Sequence, residues 1–306
     1  MLNIILLLVG FVALIKGADI FVDASSSIAK KFNIPSIIVG LTIVAMGTSL
    51  PELSVSVTSS LAGLNDMSIA NVTGSNIFNI LIALGVSSMF GKLKINNYKD
   101  IWMLLGTCLG LLLMAINRSL GMLNGIILLI AFTMYILSLI KQAKDNKDNK
   151  EESEDEKQRN IFITVVLGIL GATAIVIGGN MVVNSASEIA LKLGMSENLV
   201  GLTIVALGTS LPEFVTSVMA TKKGELSIAI GNIIGSNIFN ILLILGVASL
   251  ISPMAVSVVA ICDVMFMVFT VTLFIFLTIK EKELNKKNGI LLIMMYIVYL
   301  IITIIR

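Results

Sequence analysis

GLTIVAMGTSLPE, residues Gly40–Glu52, returns as GLTIVALGTSLPE at Gly201–Glu213 with one exchange, Met46 for Leu207. A second stretch, NVTGSNIFNILIALG at Asn71–Gly85, returns as NIIGSNIFNILLILG at Asn232–Gly246. Both pairs are offset by 161 residues, and at that offset Gly17, Val22, Ile28 and Ala29 align with Gly178, Val183, Ile189 and Ala190. A constant offset across both motifs and the segment before them marks a duplication. Each copy sets one glutamate, Glu52 or Glu213, inside a long apolar run.

Composition makes the rest of the chain an integral membrane protein. Of 306 residues, 57% are hydrophobic and 13% charged, against about 25% charged in a soluble domain; mean hydropathy is +1.01. The apolar residues fall in blocks of about 17 to 25, the length that crosses a bilayer. A soluble enzyme and a nucleic-acid binder are thereby excluded, and a net charge of +2 points to no polyanionic partner. Cys108 and Cys262 lie inside apolar runs and give neither a disulfide framework nor a metal signature. Histidine is absent, which removes the commonest general base and zinc ligand. The sixteen methionines read as adaptable filling of apolar gaps, and Trp102 as an interfacial anchor.

Apolar runs set against polar breaks predict ten spans, near 2–24, 34–60, 68–90, 101–117, 120–140, 161–187, 198–220, 226–251, 259–279 and 289–305. The first lacks a basic leader and a small-residue cleavage site and reads as a retained helix. Alternate loops on one side carry seventeen lysines and arginines, among them Lys30, Lys31, Lys92, Lys222 and Lys223, while the other side holds Arg118, Lys192 and Arg306. That bias places the basic loops in the cytoplasm and both termini outside. The stretch 141–160, dense in Lys, Asp, Glu and Asn, reads as a disordered cytoplasmic linker. The expected organisation is an all-α protein: a five-helix repeat over 1–140, the linker, and a second five-helix repeat over 161–306. Five is odd, so the second copy enters the membrane inverted, as in secondary transporters whose substrate site lies near the midplane.

Ionisable groups at membrane depth are costly and mark function. Glu52 follows Thr48 and Ser49, and Glu213 follows Thr209 and Ser210, by four and three residues, a helical spacing that puts hydroxyls and carboxylate on one face. Pro51 and Pro212 lack an amide hydrogen, freeing the carbonyls of Gly47 and Gly208, and predict broken second and seventh helices. Broken backbone survives in a membrane only where it lines a cavity or binds something. The second motif adds Ser75, Asn76 and Asn79, and Ser236, Asn237 and Asn240. Every donor in this pool is oxygen, a chemistry for hard cations such as Ca²⁺ and Na⁺ and not for zinc, copper or iron. Single Ser, Thr or Asn residues serve as interhelical glue, but glue has no use for two buried carboxylates.

Paired GTSLPE and GSNIFN motifs resemble the α-repeats of the cation/calcium exchanger superfamily, above all its sodium/calcium exchangers, and the resemblance spans the whole chain. It implies an antiporter, not an enzyme, in the plasma membrane that exchanges Na⁺ for Ca²⁺ by alternating access and extrudes Ca²⁺. Carried over by motif position, Glu52 and Glu213 are the central ligands. Thr48, Ser49, Thr209, Ser210, Ser75 and Ser236 supply further oxygens, Asn79 and Asn240 flank the centre, and the backbone carbonyls of Ala45 and Ala206 hold outer sodium ions. No cofactor is implied; the substrates are Ca²⁺ and Na⁺, the surroundings lipid, and the expected unit a monomer. Potassium-dependent relatives carry aspartate where Asn240 stands, so potassium co-transport is not expected. A proton/calcium antiporter is the alternative, with the same glutamates as proton carriers. A channel and an intramembrane enzyme are weaker rivals, the one needing no inverted repeat and the other lacking histidine or an HExxH motif. Lys16 and Asp19 are expected to pair within the first span, with Asp23 near its cytoplasmic boundary and a structural or gating role for both acids, the alternative being a role in ion entry.

Overall fold

The computed structural model describes residues 2–63, 65–95, 97–147, 160–195 and 206–305. Its helices are α1 (Leu2–Lys31), α2 (Ser36–Thr48), α3 (Leu50–Leu61), α4 (Met67–Ser87), α5 (Lys99–Ile116), α6 (Met122–Lys147) and α7 (Ile161–Lys192). They are followed by α8 (Ala206–Gly208), α9 (Leu211–Lys222), α10 (Leu226–Ile251), α11 (Val258–Thr278) and α12 (Lys286–Ile305). Among the described residues eight helices are long and apolar enough to cross a membrane, and the pair α2 and α3, bent by 48°, makes a ninth candidate. The start of the remaining expected span, including Gly201–Val205 of the second motif, lies outside the described residues, as does most of the 141–160 linker. Exposed Leu, Ile, Val and Phe side chains cover α1, α7 and α12, the surface of a multi-pass membrane protein and not of one facing water.

Two helices form the centre. In α4, 72% of the apolar window is buried and in α10, 83%, against at most 44% in the other full-length spans. Around them the two halves cross. α10 lies against α2, where a Cβ added to Gly231 would stand 2.6 Å from the Ile37 carbonyl oxygen, so only glycine admits that backbone approach. At the periphery α1 runs along α7. Gly17 meets Gly171 there, and a Cβ on either would come within 2.9 Å of the other's carbonyl oxygen. Small residues of this kind let membrane helices touch backbone to backbone.

Four features depart from expectation. The fold is not purely helical: β1 (Leu93–Lys94) pairs with β4 (Glu283–Leu284) and β2 (Ser119–Leu120) with β3 (Met254–Ala255), each antiparallel and each tying a loop of one half to the other. The helix α6 continues through Lys147, so the first seven residues of the expected linker are helical. The break in the second span falls at Ser49 (φ −85°, ψ 8°) and not at Pro51, which sits in the first turn of α3, where a missing amide hydrogen costs nothing. Ser210 and Pro212 repeat this at the start of α9. Finally, Asp19 pairs with Lys223 and not with Lys16. The Lys223 ammonium, just past α9, lies 2.7 Å from Asp19 Oδ1 and 2.6 Å from Asp23 Oδ1 and donates to the Asp19 carbonyl at 2.8 Å. Beside it Ser26 Oγ donates to Glu225 Oε1 at 2.5 Å.

Candidate cation site

Both breaks and both central helices converge on the two glutamates, each 0% exposed. Ser49 stands where a helix cap would, yet makes no capping bond to α3. Its hydroxyl crosses to the other half and donates to Glu213 Oε1 at 2.9 Å. Ser75, on α4, donates to Glu52 Oε1 at 3.4 Å and accepts from Asn240 Nδ2 at 3.1 Å. Among the described residues the ion pairs lie elsewhere, so neither carboxylate is neutralised by a lysine or arginine.

Paired exchanges between the halves hold this centre together. Asn76 Nδ2 donates to the Asn237 carbonyl and Asn237 Nδ2 to the Asn76 carbonyl, both at 3.1 Å. Asn79 Nδ2 donates to Asn237 Oδ1 and Asn240 Nδ2 to Asn76 Oδ1, both at 3.0 Å. Such reciprocity between positions 161 apart is what a two-fold axis produces. The backbone supports it: α4 and α10 each widen into a π-turn, Asn79–Ala83 and Asn240–Ile244, starting at the equivalent asparagine. π-turns recur at functional sites. A third one occupies Gly40–Val44, ahead of Ala45.

Sequence reasoning passed over Asn71 and Asn232, the first residues of the second motif. Asn71 Nδ2 donates to Ser56 Oγ at 3.2 Å and to the Glu52 carbonyl at 3.5 Å, while its Oδ1 accepts from Thr209 Oγ1 at 3.3 Å. Asn232 repeats the pattern with Ser217 Oγ (2.9 Å), the Glu213 carbonyl (3.2 Å) and Thr48 Oγ1 (3.0 Å). Their duplication, along with the whole motif, was the signal available.

Several oxygens in the site are left over. Glu52 Oε2, Glu213 Oε2, Ser210 Oγ, Asn79 Oδ1 and Asn240 Oδ1 are buried and receive no hydrogen bond. Buried acceptors without a partner are rare and costly, and here five come from both halves of one network. Of the remaining expected residues, Ser236 Oγ is 3.4 Å from Thr48 Oγ1, Ala45 is fully buried, and Ala206 opens α8. Among the described residues no group of three or more Asp, Glu, Cys or His is placed to hold a metal ion, and the charged groups of this network are the two carboxylates. A neighbouring cavity of about 280 Å³, bounded by Met46, Gly47, Ser49, Leu50, Leu53, Phe239, Leu243 and Ile244, is too apolar to hold a cation.

Known proteins resemble this chain in sequence and fold. The family model described as sodium/calcium exchanger protein matches residues 2–141 and 163–305. The sodium/calcium exchanger MaX1 of Methanosarcina acetivorans is 33% identical over 98% of this chain and 98% of its own. The inner membrane protein YrbG of Escherichia coli is 35% identical over 81% of this chain and 79% of its own. The solved structure of the sodium-calcium exchanger NCX_Mj soaked with 2.5 mM Na⁺ and 0.1 mM Ca²⁺ superposes with a TM-score of 0.86, at 31% identity over 97% of both chains.

Proposed function

Since the chain belongs to the sodium/calcium exchanger family, we propose that it exchanges Na⁺ for Ca²⁺ across the cell membrane by alternating access, extruding Ca²⁺ as Na⁺ enters. The observation that carries this reading is the set of unpartnered buried oxygens contributed by both halves around Glu52 and Glu213. Two carboxylates at membrane depth disfavour an empty carrier from crossing. One Ca²⁺, or at least two Na⁺, neutralises them and permits the switch. In this reading Glu52 and Glu213 are the central ligands. Thr48, Ser49, Ser75, Thr209, Ser210 and Ser236 add oxygens, Asn79 and Asn240 flank the centre, and the carbonyls of Ala45 and Ala206 hold outer sodium. Ten crossings in two inverted repeats, with both termini outside and residues 141–160 in the cytoplasm, provide two nearly equivalent conformations, and the reciprocal Asn76–Asn237 bonds accord with that symmetry.

Purified protein in liposomes, loaded with radiolabelled Ca²⁺ and given an outward or inward Na⁺, K⁺ or H⁺ gradient, tests the coupling ion. Flux that follows the Na⁺ gradient and ignores the other two is the expected result. Flux driven by a pH gradient without sodium would identify a proton/calcium antiporter instead.

A further inference from the structure

Asn76 and Asn237 are the two motif asparagines that the cation reading leaves without a task, yet each commits both ends of its side chain to the opposite repeat. Asn76 Nδ2 donates to the Asn237 carbonyl and Asn237 Nδ2 to the Asn76 carbonyl, both at 3.1 Å. A backbone carbonyl only accepts, so both amides are fixed in orientation and turn Oδ1 the other way. Asn76 Oδ1 there meets Asn240 Nδ2 at 3.0 Å, and Asn237 Oδ1 meets Asn79 Nδ2 at 3.0 Å. The second hydrogen of Asn240 Nδ2 goes to Ser75 Oγ at 3.1 Å, which leaves the Ser75 hydroxyl to donate to Glu52 Oε1 at 3.4 Å. What remains of Asn79 and Asn240 is Oδ1, buried in each and without a hydrogen-bond partner. Two backbone carbonyls thus set the polarity of the whole relay.

We propose that Asn76 and Asn237 are positioning residues: each fixes, across the boundary between the repeats, which end of the Asn240 or Asn79 amide is left for the cation. Without that hold a terminal amide turns easily about its last bond, and half a turn puts the NH₂ group where Oδ1 stands, hydrogens toward a cation. In Asn240 the same turn sets Oδ1 against Ser75 Oγ and draws its proton off Glu52. The arrangement is crossed, the first repeat orienting a residue of the second and the second a residue of the first, so neither half builds its share of the site alone. Partners one layer out commonly orient ligand groups in this way. The inference rests on the Na⁺/Ca²⁺ reading above and deepens it. Motif spacing does not disclose it, because Asn76 and Asn240 stand 164 residues apart and Asn79 and Asn237 158.

Equilibrium binding of radiolabelled Ca²⁺ to the purified full-length protein tests this through the residue that is oriented. Asn76→Leu, similar in shape, removes the acceptor and should raise half-saturating Ca²⁺ about tenfold, the worth of one contact between a polar group and a charge. Asn240→Asp gives the deciding background, because a carboxylate presents oxygen whichever way it turns. There the further substitution Asn76→Leu should change half-saturation by less than about twofold, the scatter of independent sites. A merely structural role shifts both backgrounds equally; that result, or no shift with Asn240 in place, overturns the proposal. Asn237→Leu with and without Asn79→Asp repeats the comparison on the second copy and carries it should Asn76→Leu fail to fold. Failure of both leucine variants to fold would assign the two asparagines to the structure alone and equally overturn it. A Glu213→Gln control in the same series keeps the two levels apart. Wild-type Ca²⁺ binding there would sink the carboxylate site itself, whereas its loss together with equal shifts in both backgrounds sinks only the role of Asn76 and Asn237.

Discussion

The two repeats surround their glutamates with the same residues and treat them differently. Ser49 of the first repeat donates to Glu213, while its counterpart Ser210 has no partner. Ser75 donates to Glu52, and its counterpart Ser236 bonds Glu213 while also lying against Thr48. The asparagine exchanges, by contrast, are kept in both directions. Around the glutamates the two copies thus differ at one pair of hydroxyls, Ser49 and Ser210. The asparagines form the invariant frame, and the serines are the contacts free to trade places. A second asymmetry lies near one end of α1. Asp19, Asp23 and Lys223 form a latch between α1 and the turn after α9, but the positions 161 away hold Asn180, Asn184 and Ala62, which cannot pair ionically. The repeats share their residues at the site and differ at this latch, so under the proposed alternating access the two conformations differ in energy through the latch.

The strongest way to break the comparison is to remove a charge from one repeat only. Glu52→Gln or Glu213→Gln should each cut sodium-dependent Ca²⁺ flux in proteoliposomes at least about a hundredfold, because removing one of the charges that balance a buried cation costs about 3–5 kcal/mol. Retained flux in one of the two would assign the site to a single repeat. Next come the serines. Ser49→Ala should raise half-saturating Ca²⁺ about tenfold at one membrane face and Ser210→Ala at the opposite face, since bonds to charged groups are worth about 1.5–3 kcal/mol. Equal effects at both faces would contradict the exchange of roles.

The latch predicts smaller shifts. With Asp23 largely exposed, its pairs are worth at most about 1 kcal/mol. Under the cytoplasmic placement of this turn, Lys223→Met should therefore lower half-saturating cytoplasmic Ca²⁺ by up to about fivefold as the inward-facing state gains population. Building the mirror image, Ala62→Lys with Asn180→Asp and Asn184→Asp, should move the wild-type protein in the same direction. A shift the opposite way from either variant would show that the latch stabilises the other state. The smallest effect concerns pH. Burial works against the Lys223 charge, but hydrogen bonds and attraction from Asp19 and Asp23 outweigh it and hold the ammonium above its ordinary value. A raised lysine keeps its contribution below the ordinary value near about 10.4 and loses it only above. Wild type and Lys223→Met should thus show parallel pH profiles between about pH 6 and 9, checked by flux at fixed Na⁺ gradient.

Much of this architecture was legible in the chain because the bilayer imposes it. Hydropathy locates spans, a duplication at constant offset pairs them, and two acids in apolar surroundings announce a site. Hydropathy reports where lipid ends and not where hydrogen bonding ends, so α1 and α6 run past their expected limits to Lys31 and Lys147. Pro51 signalled a break but not its place, because proline is tolerated in a first turn and the discontinuity moved back to Ser49. The π-turns at Asn79 and Asn240 and the four short strands leave no periodic trace. Asp19 was matched to Lys16 by sequence proximity, while its partner Lys223 stands 204 residues on. The asparagines at 71 and 232 were equally hidden, since what they do depends on acceptors from the opposite repeat.

Equilibrium binding of radiolabelled Ca²⁺ to the purified protein, titrated with Na⁺, addresses the shared carboxylate site most directly. One Ca²⁺ per chain, displaced by Na⁺ and lost in both Glu52→Gln and Glu213→Gln, is the outcome expected if the repeats grip one ion between them. Wild-type Ca²⁺ affinity in either variant, or binding indifferent to Na⁺, would contradict it.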